Sequence, residues 1–298
     1  MSGDRPLAGC PAERRRVALL GLGSIGAGMA DRLARAEDVA LVAWNRSPER
    51  RAAAAAAGVP VAESAVAAVA DASVVIMSLS DDAAVSSLVE IVLPALAEGA
   101  VVVDTSTVSP GTSKDVAARL AVRGVGFVDA PVTGGEEAAR RGTLTLLCGA
   151  RDADLAAVRP VLVHVSGRIV HVGEVGSGQL AKAVNQVILA GAFLGVAEGV
   201  ALARRAGLDA GALMAELREG AAASWVLSER AAMMVEGDFA PRGRLALHLK
   251  DLRIAEEVAR GAGVELRLGS LVAELEQRLV DSGFGDHDVA AIVLAVDG

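Results

Sequence analysis

The sequence predicts a doubly wound α/β domain with a mostly parallel sheet, joined by one long helix to an all-helical C-terminal domain. Three observations carry that prediction. A short apolar run passes through GLGSIG directly into residues at helical spacing. Short β-branched runs then alternate with helical patterns as far as residue 172. From residue 176 to 206 one helical pattern runs without proline or turn cluster, and beyond it no strand signal survives.

Residues 1–13 read as a mobile tail. Within them Leu7-Ala8-Gly9-Cys10 resembles a lipoprotein cleavage box, but the residues before it include Asp4 and Arg5 and form no apolar segment. That reading is rejected. Residues 17–21 (VALLG) form the first strand, and Ile25, Met29 and Leu33 mark the helix after it. Between them Gly21, Leu22, Gly23, Ser24, Ile25 and Gly26 fit GxGxxG in strand–turn–helix context. The first glycine permits the tight turn, the second lets a pyrophosphate approach the backbone, and the third allows helix and strand to pack closely. Free amides at the helix start then face the phosphates. This is the signature of a dinucleotide-binding Rossmann domain, set against the plainer reading of a structural turn.

The second strand, residues 40–44, ends in Asn45-Arg46-Ser47. An acid at this point accepts from adenosine ribose hydroxyls and repels a 2′-phosphate, whereas Arg46 pairs with that phosphate and Asn45 and Ser47 offer hydrogen bonds. NADP(H) is therefore preferred over NAD(H). A solvated arginine at a strand end is the alternative, because Glu49, Arg50 and Arg51 crowd the same turn.

Residues 59–61, 74–79, 100–103 and 125–128 are further strand candidates, and 143–148 and 168–172 close the sheet. Ligands in such sheets bind beyond the carboxyl ends of the strands. Those ends carry Leu79-Ser80, Thr107 and Thr133-Gly134-Gly135. Thr107 or Ser109 ahead of Pro110 also suits a helix cap. A hydroxyl at Thr133 beside two glycines able to present amides suits a carboxylate.

The long helix would run about 28 residues, roughly 42 Å at 1.5 Å per residue, and joins the domains. Lys182 near its start is surrounded by Leu180, Ala181, Ala183, Val184, Val187 and Ile188, with Asn185 on its own face. Apolar surroundings disfavour an ammonium and lower its pKa toward the range of proton transfer, while a lysine on the wet face is the alternative. Gly191, Gly195 and Gly199 recur every four residues. They open a flat stripe for another helix, or reflect a Gly-rich chain. Helical periodicity returns at 213–218, 225–235, 245–258, 266–280 and 289–296. Lys250-Asp251 within it reads by default as a solvated or self-satisfying pair. The domains expected are residues 14–175, binding NADP, and 176–298, for substrate and dimerisation, with 176–206 as the interdomain helix.

A chain of 298 residues is long enough for two domains. Its 29 Lys and Arg against 37 Asp and Glu give a net charge of −8, and with tyrosine absent no nucleic acid or anionic membrane partner is expected. Apolar runs are broken before the 18 or so residues of a membrane span. Cys10 and Cys148 suggest neither disulfide framework nor metal site, which fits a reducing cytoplasm. His164, His171, His248 and His287 lack metal or triad spacing and read as structural or surface residues.

Taken together, GLGSIGAGMA, WNRS, DTSTVSP, DAPVTGG with RRGTLTL, GSGQLAKAVNQ and HLKDL resemble the β-hydroxyacid dehydrogenase family over about residues 15–290. This family includes 3-hydroxyisobutyrate dehydrogenase, tartronate semialdehyde reductase and glyoxylate or succinic semialdehyde reductase. The resemblance implies a Rossmann domain, a long helix and a helical domain, assembled as a dimer or tetramer. It implies Lys182 as general acid and base and Asn185 as the residue holding substrate and orienting the lysine. Thr133, Gly134 and Gly135 would bind the substrate carboxylate, Thr107 would lie near the nicotinamide, and Lys250 and Asp251 would reach over to cofactor and lysine. Three departures stand out: Thr133 for the family's usual serine, Gly243 and Arg244 where an aromatic often stands, and Ala138 for a frequent glycine. The competing functions are an imine reductase, which commonly replaces the lysine by Asp or Tyr, and a non-catalytic NADP-binding dimer. A 6-phosphogluconate dehydrogenase would need a His-Asn-Gly lysine motif that is absent.

Overall fold

The computed structural model describes residues 14–297, so the tail expected at 1–13 lies outside the described residues. Along the chain, β1 (Arg15–Leu20), α1 (Ser24–Ala34), β2 (Val39–Trp44), α2 (Pro48–Ala56), α3 (Ala65–Val69), β3 (Val74–Met77), α4 (Asp82–Val92), β4 (Val101–Asp104), α5 (Pro110–Ala121) and β5 (Gly126–Asp129) alternate. These five strands are parallel in the order β2-β1-β3-β4-β5. Their runs are continuously apolar because both faces are covered. Leu19 and Ile76 face one core while Ala18, Leu20, Val75 and Met77 face the other.

The sheet continues through β6 (Val132–Thr133), α6 (Gly135–Arg141), β7 (Leu144–Ala150), α7 (Asp152–Leu162) and β8 (Ser166–Gly173). β7 is antiparallel to β5 and β6 and parallel to β8. The expected strand at 59–61 is reduced to a single bridge between Ala43 and Val61. Pro60 has no N–H to extend that ladder. β6, two residues long, carries no period a sequence can reveal.

α8 (Ser177–Arg205) is a 29-residue helix. Gly176 enters it in the left-handed region, at φ 94°. By length and composition it could cross a membrane. The glycines that break its apolar runs do not break the helix.

α9 (Ala210–Leu217), α10 (Trp225–Glu229), α11 (Ala231–Glu236), α12 (Leu245–Gly261) and α13 (Arg267–Leu279) follow, then a 3₁₀ turn (Val289–Val293) and α14 (Leu294–Asp297). The helix expected over 225–235 is thus split at Arg230, and the one expected at 289–296 begins as a 3₁₀ turn. Ala190, Phe193, Leu194, Ala197 and Val200 of α8 are buried among these helices. The other end of α8 packs on β7 and β8.

Candidate active site

Between β1 and α1 the glycine loop is fixed by contact. A Cβ at Gly21 would lie 2.2 Å from Ser78 O, and one at Gly26 would lie 2.0 Å from Gly21 O. At Gly23 the nearest atom to an added Cβ is Arg50 Nη1, at 3.4 Å, so the middle of the loop lies close to a guanidinium. Gly23 caps α1 without a side-chain hydrogen bond and no acid stands in the first turn. By contrast Ser47, Ser64, Asp81 and Ser109 cap α2 to α5. The amides around Gly23, Ser24 and Ile25 thereby fit a pyrophosphate, whereas the Leu22 amide is taken up within the protein.

At the end of β2, Asn45 Oδ1 accepts from Leu22 N at 2.8 Å and ties the glycine loop down. Ser47 accepts from Arg50 N and donates to Glu49. Both side chains therefore have internal partners at the place where the sequence offered them to a phosphate. Arg46 is exposed. Arg50 reaches Leu22 O at 3.5 Å, which brings its guanidinium to the glycine loop. The sequence showed Arg50 only as crowding.

At the next two strand ends, Leu79 N donates to Ser106 Oγ at 2.8 Å and Ser80 donates to Asp81, the cap of α4. Lys250 Nζ, from α12, donates to the backbone oxygen of Thr107 and pairs with Asp251 at 2.9 Å. Lys250 and Asp251 thus form the pair read by default, and Lys250 also reaches the Rossmann domain.

Asp129, at the end of β5, accepts from Gly176 N at 2.7 Å and Gln179 N at 3.0 Å. A carboxylate from the sheet therefore caps α8. A Cβ at Gly178 would lie 2.4 Å from Leu147 O and 2.7 Å from Asp129 Oδ2, which accounts for the glycine there. Gln179, 1% exposed, accepts from Val108 N at 3.2 Å and donates to Ser106 O at 2.9 Å. It fastens the Thr107 loop to α8 one turn ahead of Lys182.

Lys182 is 7% exposed and donates to Val132 O at 2.9 Å. Burial lowers its pKa from the ordinary lysine value; Asp251 opposes that shift and Lys250 adds to it. Asn185 donates to Gln186 at 2.8 Å, and Gln186 donates to Asp251 at 2.8 Å. Gln179, Lys182 and Gln186 recur at three and four residues on one helix face, the signal by which sequence alone could have grouped them.

Val132 O, the partner of Lys182, adjoins the cradle of Thr133, Gly134 and Gly135. Gly134 and Gly135 have φ 120° and 72°, the left-handed region that favours glycine. A Cβ on Gly134 would lie 2.6 Å from the Ala138 methyl, so Ala138 makes that glycine obligatory. Trp225 Cζ2 lies 3.9 Å from a Cβ built on Gly135. The Trp225 ring is covered in turn by Arg230 at 4.5 Å. Arg230 reaches Glu137 at 3.4 Å and Asp288 at 3.5 Å, and Arg242 reaches Glu137 at 3.9 Å. The helical domain thus closes on the cradle through Trp225, Arg230 and Arg242. Arg244 instead pairs with Asp286, and the Gly243 amide donates to Asp288. In a chain with two tryptophans, Trp225 was the available clue to this contact.

The remaining histidines stay outside this cluster: His248 is buried against Glu276 at 2.6 Å, and His164 pairs with Asp38 at 2.8 Å. Among the described residues no group of His, Cys, Asp and Glu could hold a metal ion.

A glycine loop at the sheet's reversal, a buried lysine and a glycine turn covered by the helical domain are the arrangement expected of a nicotinamide-dependent oxidoreductase. Residues 16–173 match the model described as the NAD-binding domain of 6-phosphogluconate dehydrogenase. Residues 176–296 match the model described as NAD-binding of NADP-dependent 3-hydroxyisobutyrate dehydrogenase. A probable 3-hydroxyisobutyrate dehydrogenase of Mycobacterium tuberculosis is 32% identical, over 93% of this chain and 96% of that one. An NAD-dependent L-serine dehydrogenase of Pseudomonas aeruginosa is 32% identical, again over 93% and 96%. The structure of M. tuberculosis 3-hydroxyisobutyrate dehydrogenase with L-serine superposes with a TM-score of 0.85 at 31% identity, covering 96% of this chain and 100% of that one. The chain belongs to the β-hydroxyacid dehydrogenase family, whose members oxidise the hydroxyl group of small hydroxy acids. An imine reductase from a Pseudomonas species, at 20% identity and a TM-score of 0.62, shares the fold alone.

Proposed function

We propose that this enzyme interconverts a short β-hydroxy acid and its semialdehyde or oxo acid with NADP(H) in preference to NAD(H), using Lys182 as general acid and base. The observation that carries the proposal is the burial of Lys182 beside Val132 O and the Asn185–Gln186–Asp251–Lys250 chain. A nicotinamide bound along the glycine loop would supply or take up the hydride on the carbon that bears the oxygen. In oxidation the neutral amine of Lys182 takes the hydroxyl proton, and in reduction its ammonium returns one. Desolvation makes the neutral form accessible below the ordinary lysine range. The Asn185–Gln186–Asp251 chain orients that end of α8. Thr133 and the amides of Gly134 and Gly135 receive the carboxylate, and Trp225 covers it.

Arg46 and Arg50 support the NADP preference, as does the description of the second matched model. The Pseudomonas relative named for NAD is the counterweight. The division into residues 14–175 and 176–298, a cytoplasmic location and a homo-oligomer belong to the same proposal.

The test follows NADPH and NADH oxidation with glyoxylate, succinic semialdehyde, tartronate semialdehyde, methylmalonate semialdehyde and one cyclic imine. NADP⁺ reduction with 3-hydroxyisobutyrate and L-serine completes the panel. Turnover of a carboxylate-bearing substrate with NADPH favoured supports the proposal. Turnover of the imine alone would assign the fold to a different reaction.

A further inference from the structure

Two buried polar groups of the helical domain stand apart from Lys182 and its partners. His248 and Glu276 are 5% and 0% exposed, and His248 Nδ1 donates to Glu276 Oε1 at 2.6 Å. The second polar atom of each, His248 Nε2 and Glu276 Oε2, is buried without a hydrogen-bond partner among the described residues. Taking such groups out of water costs free energy, and exchange of a buried pair for apolar residues is often neutral or stabilising. Stability is therefore a poor account of this pair. A short directional bond supplies register instead: apolar helices slide and turn on one another, and one bond between buried side chains holds a single arrangement.

His248 lies on α12, three residues before Asp251. Its ring meets Phe193 of α8 at 5.7 Å between centroids. Asp251 accepts from Gln186 of α8, seven residues before Phe193. α12 and α8 thus run antiparallel, with His248 on α8 at one turn and Asp251 at the next. Glu276 belongs to α13, which is itself seated on α8. A Cβ built on Gly191 would lie 3.0 Å from Leu268, and one on Gly269 would lie 4.0 Å from Val187. The three helices form a triangle in which α13 rests on α8 and the His248–Glu276 bond ties α12 to α13.

We propose that His248 and Glu276 are positioning residues, whose bond sets the rotation of α12 so that Asp251 stays on Gln186 and within reach of Lys182. Its bearing on turnover rests on Lys182 as the group that moves the proton. The placement of Asp251 is read without turnover.

The chain has three lysines, Lys114, Lys182 and Lys250. Labelled with ¹³C at lysine Cε, the full chain gives three side-chain signals by NMR, and Lys182→Arg assigns the one from Lys182. Burial lowers the pKa of Lys182 and Asp251 opposes that shift, so Asp251→Asn lowers the midpoint of this signal's titration. His248→Leu with Glu276→Met exchanges the pair for apolar side chains. It lowers the midpoint in the same direction by at least about 0.5 unit, part of the roughly 1–3 units an opposite charge at close range supplies. Combined with Asp251→Asn the exchange has no further effect, because the pair acts through that carboxylate. Glu276→Gln keeps an acceptor for His248 and holds the parent's midpoint. The melting temperature of the exchanged chain stays within about 5 °C of the parent. A midpoint unmoved by the exchange, or moved equally with and without Asp251, overturns the proposal. So does a Glu276→Gln midpoint shifted as far as that of the exchange, or a larger fall in melting temperature, which assigns the pair to stability. Parental turnover in Lys182→Ala removes the acid–base reading instead, and the midpoints still decide whether the pair places Asp251.

Discussion

At Lys182 two effects oppose each other: burial disfavours the ammonium, and Asp251 favours it. Burial prevails because the carboxylate of Asp251 also accepts from Gln186 and pairs with Lys250. Lys182→Ala is expected to lower turnover about 10²- to 10⁴-fold, the usual worth of a positioned acid–base group, while NADPH fluorescence titration gives an unchanged dissociation constant. Arg46→Asp should cut the NADPH-to-NADH preference about 10- to 100-fold in kcat/KM, as loss of a charge-assisted hydrogen bond predicts. An unchanged ratio places the 2′-phosphate elsewhere. Asp104 is fully buried, its Oδ2 has no partner among the described residues, and desolvation raises its pKa to about 7. Between about pH 4 and pH 7 the folded chain therefore binds more protons at this site than the unfolded chain, and stability falls as pH rises. Asp104→Asn keeps the neutral form. In urea melts it should gain on the parent between pH 5 and pH 8 by at least about 1.4 kcal/mol, the worth of one pKa unit.

The element that sets the geometry is the start of α8, held to the sheet by Asp129 and to the Thr107 loop by Gln179. Gln179→Ala strands Val108 N and Ser106 O away from water, at a cost of about 1–3 kcal/mol in stability. It also lets the Thr107 loop move relative to Lys182. The expected signature is a fall in kcat larger than any change in KM. A purely structural role would lower the melting temperature and leave kcat untouched at low temperature. Much of this was readable beforehand. The unbroken pattern of residues 176–206 announced the helix, and Leu19, Ile76 and their neighbours announced a sheet covered on both faces. The strand ends were readable because small polar residues cluster there. β6 was not, since two residues show no alternation, and the split at Arg230 was hidden because both halves share one helical period. The internal engagement of Asn45 and Ser47 also escaped the sequence, which shows hydrogen-bonding capacity without showing where it is used.

For the molecule as a whole, the proposed chemistry depends on two domains meeting over one lysine. Lys250 bonds to Thr107 O, Arg230 bonds to Glu137, and Trp225 lies over Gly135; each contact joins residues some 90 to 140 apart in the chain. No local pattern reports such distances, and the resemblance alone brought Lys250 to the site. The central claim is that this meeting makes Lys182 the proton donor and acceptor. The most direct measurement is the pH dependence of kcat/KM for NADP⁺-linked oxidation of the best hydroxy acid in the panel, in the parent and in Lys182→Ala. The parent rate should rise with pH to a plateau whose inflection lies below the ordinary lysine value of 10.5, and Lys182→Ala should lose both the rate and that inflection. A Lys182→Ala profile that keeps the parent's inflection, with a rate within about tenfold, would contradict the account and assign proton transfer to another group.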